Sequence, residues 1–215
     1  MTGYFVTFEG PDGSGKTTAL QGILEKLPVA AKRSLLVTRE PGGSVVAEKI
    51  RKLILDPVNT TMTDRTEALL YAAQRSQHVT EVLKPALAAD KVVFSDRFVD
   101  SSLAYQGAGR QLGIAAVKEI NDFATQGLAP DLTILFCIEP AQGLARIKHE
   151  RPGQEDRLEK ERLAFHQRVY QAYLALAEQE PNRFVKIDAS QSPAQVVQAC
   201  LQVLKNRLPQ LFAED

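Results

Sequence analysis

The chain has 215 residues, enough for one domain with a substantial core, and its 26 basic residues are balanced by 26 acidic ones. Zero net charge disfavours a nucleic-acid polymer as partner, because such binders usually carry a basic excess. The longest apolar runs are too short to cross a bilayer, and Met1-Thr2-Gly3 leaves no room for a signal or transit peptide, so the expectation is a cytoplasmic protein with no membrane partner.

Tyr4–Phe8 predicts a buried strand and Thr17–Lys26 a helix behind it. Between them stands Gly10-Pro11-Asp12-Gly13-Ser14-Gly15-Lys16-Thr17-Thr18, a complete G-x-x-x-x-G-K-[ST] phosphate loop. Its glycines let backbone amides turn inward around phosphates, and the helix N-terminus adds partial positive charge. In that geometry Lys16 reaches the β- and γ-phosphates and the Thr17 hydroxyl ligates Mg²⁺. Residues Gly10 to Thr18 are therefore the predicted donor-nucleotide site.

Ser34–Thr38 predicts the second strand. A long helix follows over Asp64–Leu83, opened by an Asp64/Glu67 capping box and ended or kinked by Pro85. Tyr71 and Arg75, four apart on it, share a face. Val92–Ser95 predicts the third strand, which runs into Asp96-Arg97. An aspartate at a strand's carboxyl end beside a phosphate loop is placed to hold Mg²⁺ or its waters, and the planar fork of Arg97 suits a second phosphate group. The plainer alternative for the pair is a surface ion pair. Leu132–Ile138 predicts the fourth strand and Phe184–Ile187 the fifth. Between them His149–Arg157 is polar, charged and broken by Pro152-Gly153, and reads as a flexible loop; residues 146–158 form a predicted lid. Ser192-Pro193-Ala194-Gln195 supplies an N-cap, a proline at the first helical position and a glutamine to close the box. Cys137 and Cys200 read as small buried hydrophobes. The expected fold is a single α/β domain over residues 1–215, three-layer α/β/α of the phosphate-loop NTPase type, with a five-stranded parallel sheet and a mobile lid.

A phosphate loop alone does not separate a switch, a motor and a kinase. No Asn-Lys pair occurs anywhere in the chain, which removes the guanine-reading Asn-Lys-x-Asp of GTPases. A motor would be expected to carry an acidic pair at a strand end and more chain to move.

The sequence resembles the bacterial thymidylate kinases. The likeness is carried by Phe8-Glu9-Gly10, Lys16-Thr17-Thr18, Thr38-Arg39-Glu40-Pro41-Gly42-Gly43, Ser95-Asp96-Arg97-Phe98-Val99-Asp100-Ser101-Ser102-Leu103-Ala104-Tyr105-Gln106-Gly107, Pro130-Asp131 and Asp156-Arg157-Leu158-Glu159. The resemblance implies transfer of the γ-phosphoryl of ATP to dTMP, Mg²⁺ with the donor, and a homodimer packed through helices near the acceptor site. A kinase for another (deoxy)nucleoside monophosphate, or for a deoxynucleoside, is the close rival, and a nucleotide-dependent switch the more distant one.

For single residues the resemblance puts the Tyr71 ring on the thymine face, Arg75 on a base carbonyl, and Gln106 at the base edge with Ser102 or Gln74 in support. It puts Tyr105 against the sugar's 2′ carbon and Asp12 at the acceptor's 3′-hydroxyl. Without the family, Tyr71 reads as core and Arg75 as a solvated charge. Arg39, Glu40 and Arg51 fall in segments that border the acceptor phosphate in relatives, with surface pairing a rival for Glu40. No general base is required, because a nucleoside monophosphate with a second pKa near 6 is already an ionised nucleophile at pH 7. His78, His149 and His166 are accordingly expected to be solvated or packing residues. One family subgroup carries an arginine inside the phosphate loop. Here Pro11, Asp12, Gly13 and Ser14 fill those positions, so catalytic charge is expected from the lid, from Arg151 with Arg146, among a cluster that also holds Lys148 and Arg157. A lid that merely excludes water is the alternative.

Overall fold

Strands form where apolar runs can be buried on both faces. In the computed structural model, which describes residues 3–212, these are β1 (Tyr4–Glu9), β2 (Leu35–Arg39), β3 (Val92–Asp96), β4 (Leu132–Cys137) and β5 (Phe184–Asp188). They make one parallel sheet in the order β2-β3-β1-β4-β5. The helices are α1 (Lys16–Lys26), α2 (Val29–Arg33), α3 (Val45–Leu55), α4 (Asp64–His78), α5 (Lys84–Ala88), α6 (Val99–Ser102), α7 (Ile114–Thr125), α8 (Pro140–Glu150), α9 (Leu163–Gln179) and α10 (Pro193–Arg207).

Alternate residues of the central strands enter different cores. Val6, Phe8, Leu132, Ile134 and Phe136 pack with Leu20 and Ile23 of α1 and Val197, Cys200 and Leu204 of α10. On the opposite face Leu135 joins Val169 and Tyr173 of α9, while Phe5 and Val93 join Val79 and Leu83. Removing one phenylalanine side chain such as Phe8 or Phe94 from water contributes roughly 1.5–3 kcal/mol, and both are fully buried. The expected three layers follow from this two-sided burial.

Several local expectations are corrected. Four strands extend to a polar residue at the carboxyl end, namely Glu9, Arg39, Asp96 and Asp188, because the backbone ladder continues where hydrophobicity stops. The cap of α4 is Thr63, whose hydroxyl accepts from the Thr66 amide; Asp64 is already helical and Glu67 is buried in ion pairs instead of closing a box. Pro85 does not end the long helix. Of the two expected outcomes the irregularity is the one observed: a π-helical turn over Val79–Leu83 precedes Pro85 and the coil continues through α5. Helix α8 runs to Glu150, so the irregular segment begins at Arg151. The capping box at Ser192 and Gln195 is present in both directions. Cys200 is buried and Cys137 only half-buried. Among the described residues no helix is long and apolar enough to cross a membrane.

Candidate active site

The phosphate loop lies between β1 and α1, at the carboxyl edge of the sheet where β1 has β3 on one side and β4 on the other, the place where open α/β sheets bind ligands. Gly13 sits at φ 71°, and a Cβ there would strike the Gly143 carbonyl, while a Cβ on Gly143 would strike Asp12. This pair of glycines lets α8 lie against the loop. Gly143 was not singled out from sequence, although an isolated glycine inside a helical pattern signals such a close approach. Lys16 folds back over the loop, donating to the carbonyls of Gly10 (3.0 Å) and Pro11 (2.9 Å) and to Ser14 Oγ (3.1 Å). Burial, reinforced by the like charge of Arg97, lowers its pKa to about 8. The Thr17 hydroxyl donates to Asp96 Oδ2 at 3.0 Å, which brings together the two predicted metal residues.

Arg97 links the halves of the site. Its backbone occupies the left-handed region (φ 71°), held by its amide on the Phe8 carbonyl and by the next amide, Phe98, on Glu9 Oε1 at 2.7 Å. Glu9 is fully buried and also accepts from Ser101 and Tyr173; burial, then the Asp100 carboxylate, push its pKa up to about 7. Both groups that Glu9 holds in turn receive Arg97 Nη1, which also donates to the Gly10 carbonyl. Nη2 donates to Asp12 Oδ1 (2.6 Å) and to the Tyr105 hydroxyl (3.3 Å), with the guanidinium 5.1 Å from the Tyr105 ring centre. Burial opposes ionisation of Asp12, but Arg97 and Lys16 outweigh it and hold the carboxyl below its usual range. Asp12 Oδ2 is buried without a hydrogen-bond partner among the described residues. The reading of Asp96-Arg97 as a surface ion pair is thereby corrected: Arg97 pairs with Asp12, mostly buried, and Asp96 faces Thr17.

A cleft of about 500 Å³ opens from this junction. Asp12, Gly13, Gly15, Lys16, Thr17 and Thr18 wall its loop side, whereas Gly10, Pro11 and Ser14 complete the loop behind them. Arg39, Glu40, Arg51, Tyr71, Arg75, Ser102, Tyr105 and Gln106, predicted from segments spread over 68 positions, all line the other side. Arg75 is not solvated but 1% exposed. Nε donates to Glu40, Nη1 to Ser102 and Asn121, and Nη2 to the Phe98 carbonyl, which leaves one Nη2 hydrogen without a partner among the described residues. Glu40 is not a surface pair either. It is buried between Arg75 (2.6 Å) and His78 Nδ1 (2.9 Å), and these partners overcome burial and keep its pKa low. His78 is therefore a fully buried hydrogen-bonding residue and not a solvated one. Gln74 lies outside the cleft lining and ties the Gly42 amide to the Tyr71 carbonyl. Arg39 pairs with Glu48, and Arg51 donates to the Pro41 carbonyl.

The predicted lid divides. Arg151 lines the cleft and is held by Glu159 at 2.6 Å. Arg146 donates instead to the carbonyls of Ala189 and Ser190 after β5, apart from the Arg151 wall. Arg157 is bound to Glu67 (2.6 Å) and to the Ile54 carbonyl. Asp156 and Glu159, not among the predicted site residues, also line the cleft; burial, then Asp12, push Asp156 up to about 6.

The Thymidylate kinase family model matches residues 8–200. The thymidylate kinase of Lactobacillus acidophilus is 60% identical over 215 residues, covering 100% of both chains, and that of Lactobacillus helveticus is 59% identical over 212 residues, covering 99% of this chain and 100% of its own. A crystal structure of thymidylate kinase from Ehrlichia chaffeensis superposes with a TM-score of 0.76 at 27% identity, over 95% of this chain and 99% of that one. With the phosphate loop, the Asp96-Arg97 strand end and the Tyr105-Gln106 segment meeting in one cleft, the chain belongs to the thymidylate kinase family.

Proposed function

We infer that the chain transfers the γ-phosphoryl of ATP to dTMP, giving dTDP and ADP. The observation that carries this reading at the site is Arg97, whose guanidinium touches both the phosphate loop, at Gly10 and Asp12, and the Tyr105 hydroxyl of the acceptor segment. A cation at that junction faces both nucleotides. Phosphoryl transfer needs little covalent help from the protein; it needs alignment and neutralised charge.

In this reading Lys16 leaves the carbonyls of its own loop for the β- and γ-phosphates, Arg97 grips the acceptor phosphate, and Asp12 Oδ2 accepts from the acceptor's 3′-hydroxyl. Tyr71 stacks on the base, Arg75 offers its spare N–H to a base carbonyl, and Tyr105 crowds a ribose 2′ position. Arg39 and Arg51 border the acceptor phosphate, and Glu40 of the same segment contributes through its hold on Arg75. The residues also suit Mg²⁺, which binds proteins through few oxygens and keeps substrate phosphates and waters as its other ligands. Thr17 and Asp96, already 3.0 Å apart, would hold it. When bound, the ion would supply neutralisation of phosphate charge. Arg151 brings lid charge to the transferring group. Arg151→Ala should lower kcat by about 10²–10³-fold with unchanged dTMP affinity; full turnover would remove Arg151 from that role.

A homodimer completes the proposal. Helices α3, α4 and α7 pack side by side and leave Val45, Leu53, Leu69 and Phe123 exposed, Phe123 by 88%. A second copy of the chain covers this apolar surface in the proposed assembly. Release of ADP from ATP that requires dTMP tests the activity; ATP hydrolysis at the same rate without dTMP would point to the nucleotide switch instead.

A further inference from the structure

We propose that Glu67 sets the base selectivity of the acceptor site by fixing which end of the Gln106 amide faces the base. The proposal rests on the reading above that Gln106 meets the acceptor's base edge. Glu67 and Gln106 are 0% and 1% exposed, and Gln106 Nε2 donates to Glu67 Oε1 at 2.8 Å. A carboxylate only accepts hydrogen bonds, so the amide cannot present its oxygen to Glu67. The Gln106 carbonyl is therefore the end left for the cleft, which Gln106 lines beside Arg75 and Ser102.

Glu67 is itself immobilised from two further elements. Arg110, just after the π-helical turn Leu103–Gly109, donates through Nη2 (3.0 Å) and Nε (3.3 Å), and Arg157 of the segment after α8 pairs at 2.6 Å. A carboxylate gripped by one guanidinium fork, that of Arg110, and flanked by a second cation, Arg157, has little freedom to turn away.

The result is a fixed polarity. Arg75 is a donor only, and Gln106 Oε1 is an acceptor only. Thymine and uracil present a carbonyl and an adjacent ring N–H on the edge that would meet this pair. Cytosine presents an amino group and an unprotonated ring nitrogen, so donor meets donor and acceptor meets acceptor. Unpaired buried polar groups are the source of strong discrimination. An unrestrained glutamine would flip its amide and recover half of the mismatch; Glu67 prevents that flip.

The test is kcat/KM for dTMP, dUMP and dCMP with saturating ATP, in the unaltered chain, Glu67→Gln and Gln106→Leu. The unaltered chain should prefer dTMP to dCMP by on the order of 10⁴. In Glu67→Gln the new amide can donate to Gln106, so the dTMP to dCMP ratio should fall at least about tenfold, with dUMP following dTMP. Gln106→Leu should lower the ratio too. If Gln106→Leu lowers it and folded Glu67→Gln does not, Glu67 is only scaffold and the proposal is overturned. If Gln106→Leu leaves the ratio unchanged, the placement of Gln106 at the base has failed, and the proposal with it. Should Glu67→Gln not fold, the Gln106 side-chain amide signal in ¹⁵N–¹H NMR, assigned by its loss in Gln106→Leu, decides. Its NOE contact with the Glu67 side-chain protons is expected to persist on saturation with dTMP, and loss of that contact would overturn the proposal.

Discussion

Lys16 shows how a single buried charge carries both cost and function. The free chain holds its ammonium among carbonyls, where burial lowers its pKa to about 8. Below that pH the charge is present; as pH rises through it the free enzyme loses the cation that would grip phosphate. ATP affinity of the free enzyme should therefore fall above about pH 8, measured by equilibrium binding across pH 6.5 to 9.5, whereas flat affinity across that range would contradict it. The stability sign is opposite: the unfolded chain keeps the proton at pH values where the folded chain has lost it, so this group's contribution improves as pH rises from about 8 toward 10.5. The loop residues were legible because the motif is local. Arg75 was only half legible. Helical spacing puts it on one face with Tyr71, but its burial depends on Glu40, Ser102 and Asn121, which lie 35, 27 and 46 positions away. No local signal announces such partners, and the same distance hid Glu67 behind its apparent capping role.

At the scale of elements, composition marked where strands run better than where they stop. Glu9 pairs with Leu135 and Asp96 with Phe8, so the ladder holds polar residues that an apolar run excludes. Those strand ends carry the site, which is why its residues blur the boundaries read from hydrophobicity. The helix ends divide in the same way. At α10 the box closes on itself through Ser192 and Gln195, a purely local arrangement. Ser192→Ala should cost about 1 kcal/mol, lowering Tm by about 2–4 °C with turnover unchanged. A calorimetric Tm equal to that of the parent would contradict the cap's contribution. At α4 the acidic residue that would close a box is recruited by Arg110 and Arg157 instead. Tertiary ion pairs override the local pattern there. The two π-helical turns, Val79–Leu83 and Leu103–Gly109, have no sequence signature at all, yet the second presents Tyr105 and Gln106 to the cleft.

For the whole molecule, the alternation of apolar runs with helical stretches was enough to specify a parallel sheet between helical layers, since strands buried on both faces leave that pattern. Strand order was not legible, because β1 takes its neighbours β3 and β4 from distant parts of the chain. The proposed dimer is tested by sedimentation. The parent should run at twice the 23.7 kDa protomer mass, and Phe123→Glu should shift it toward the monomer; a monomeric parent would contradict the proposed interface. The claim that joins donor loop, Arg97 and acceptor wall into one enzyme is dTMP phosphorylation. It is tested most directly by comparing kcat/KM for dTMP, dUMP, dCMP and dGMP at saturating ATP. The predicted result is ADP release that depends on the acceptor and is fastest with dTMP; dTMP no better than the other three would contradict it.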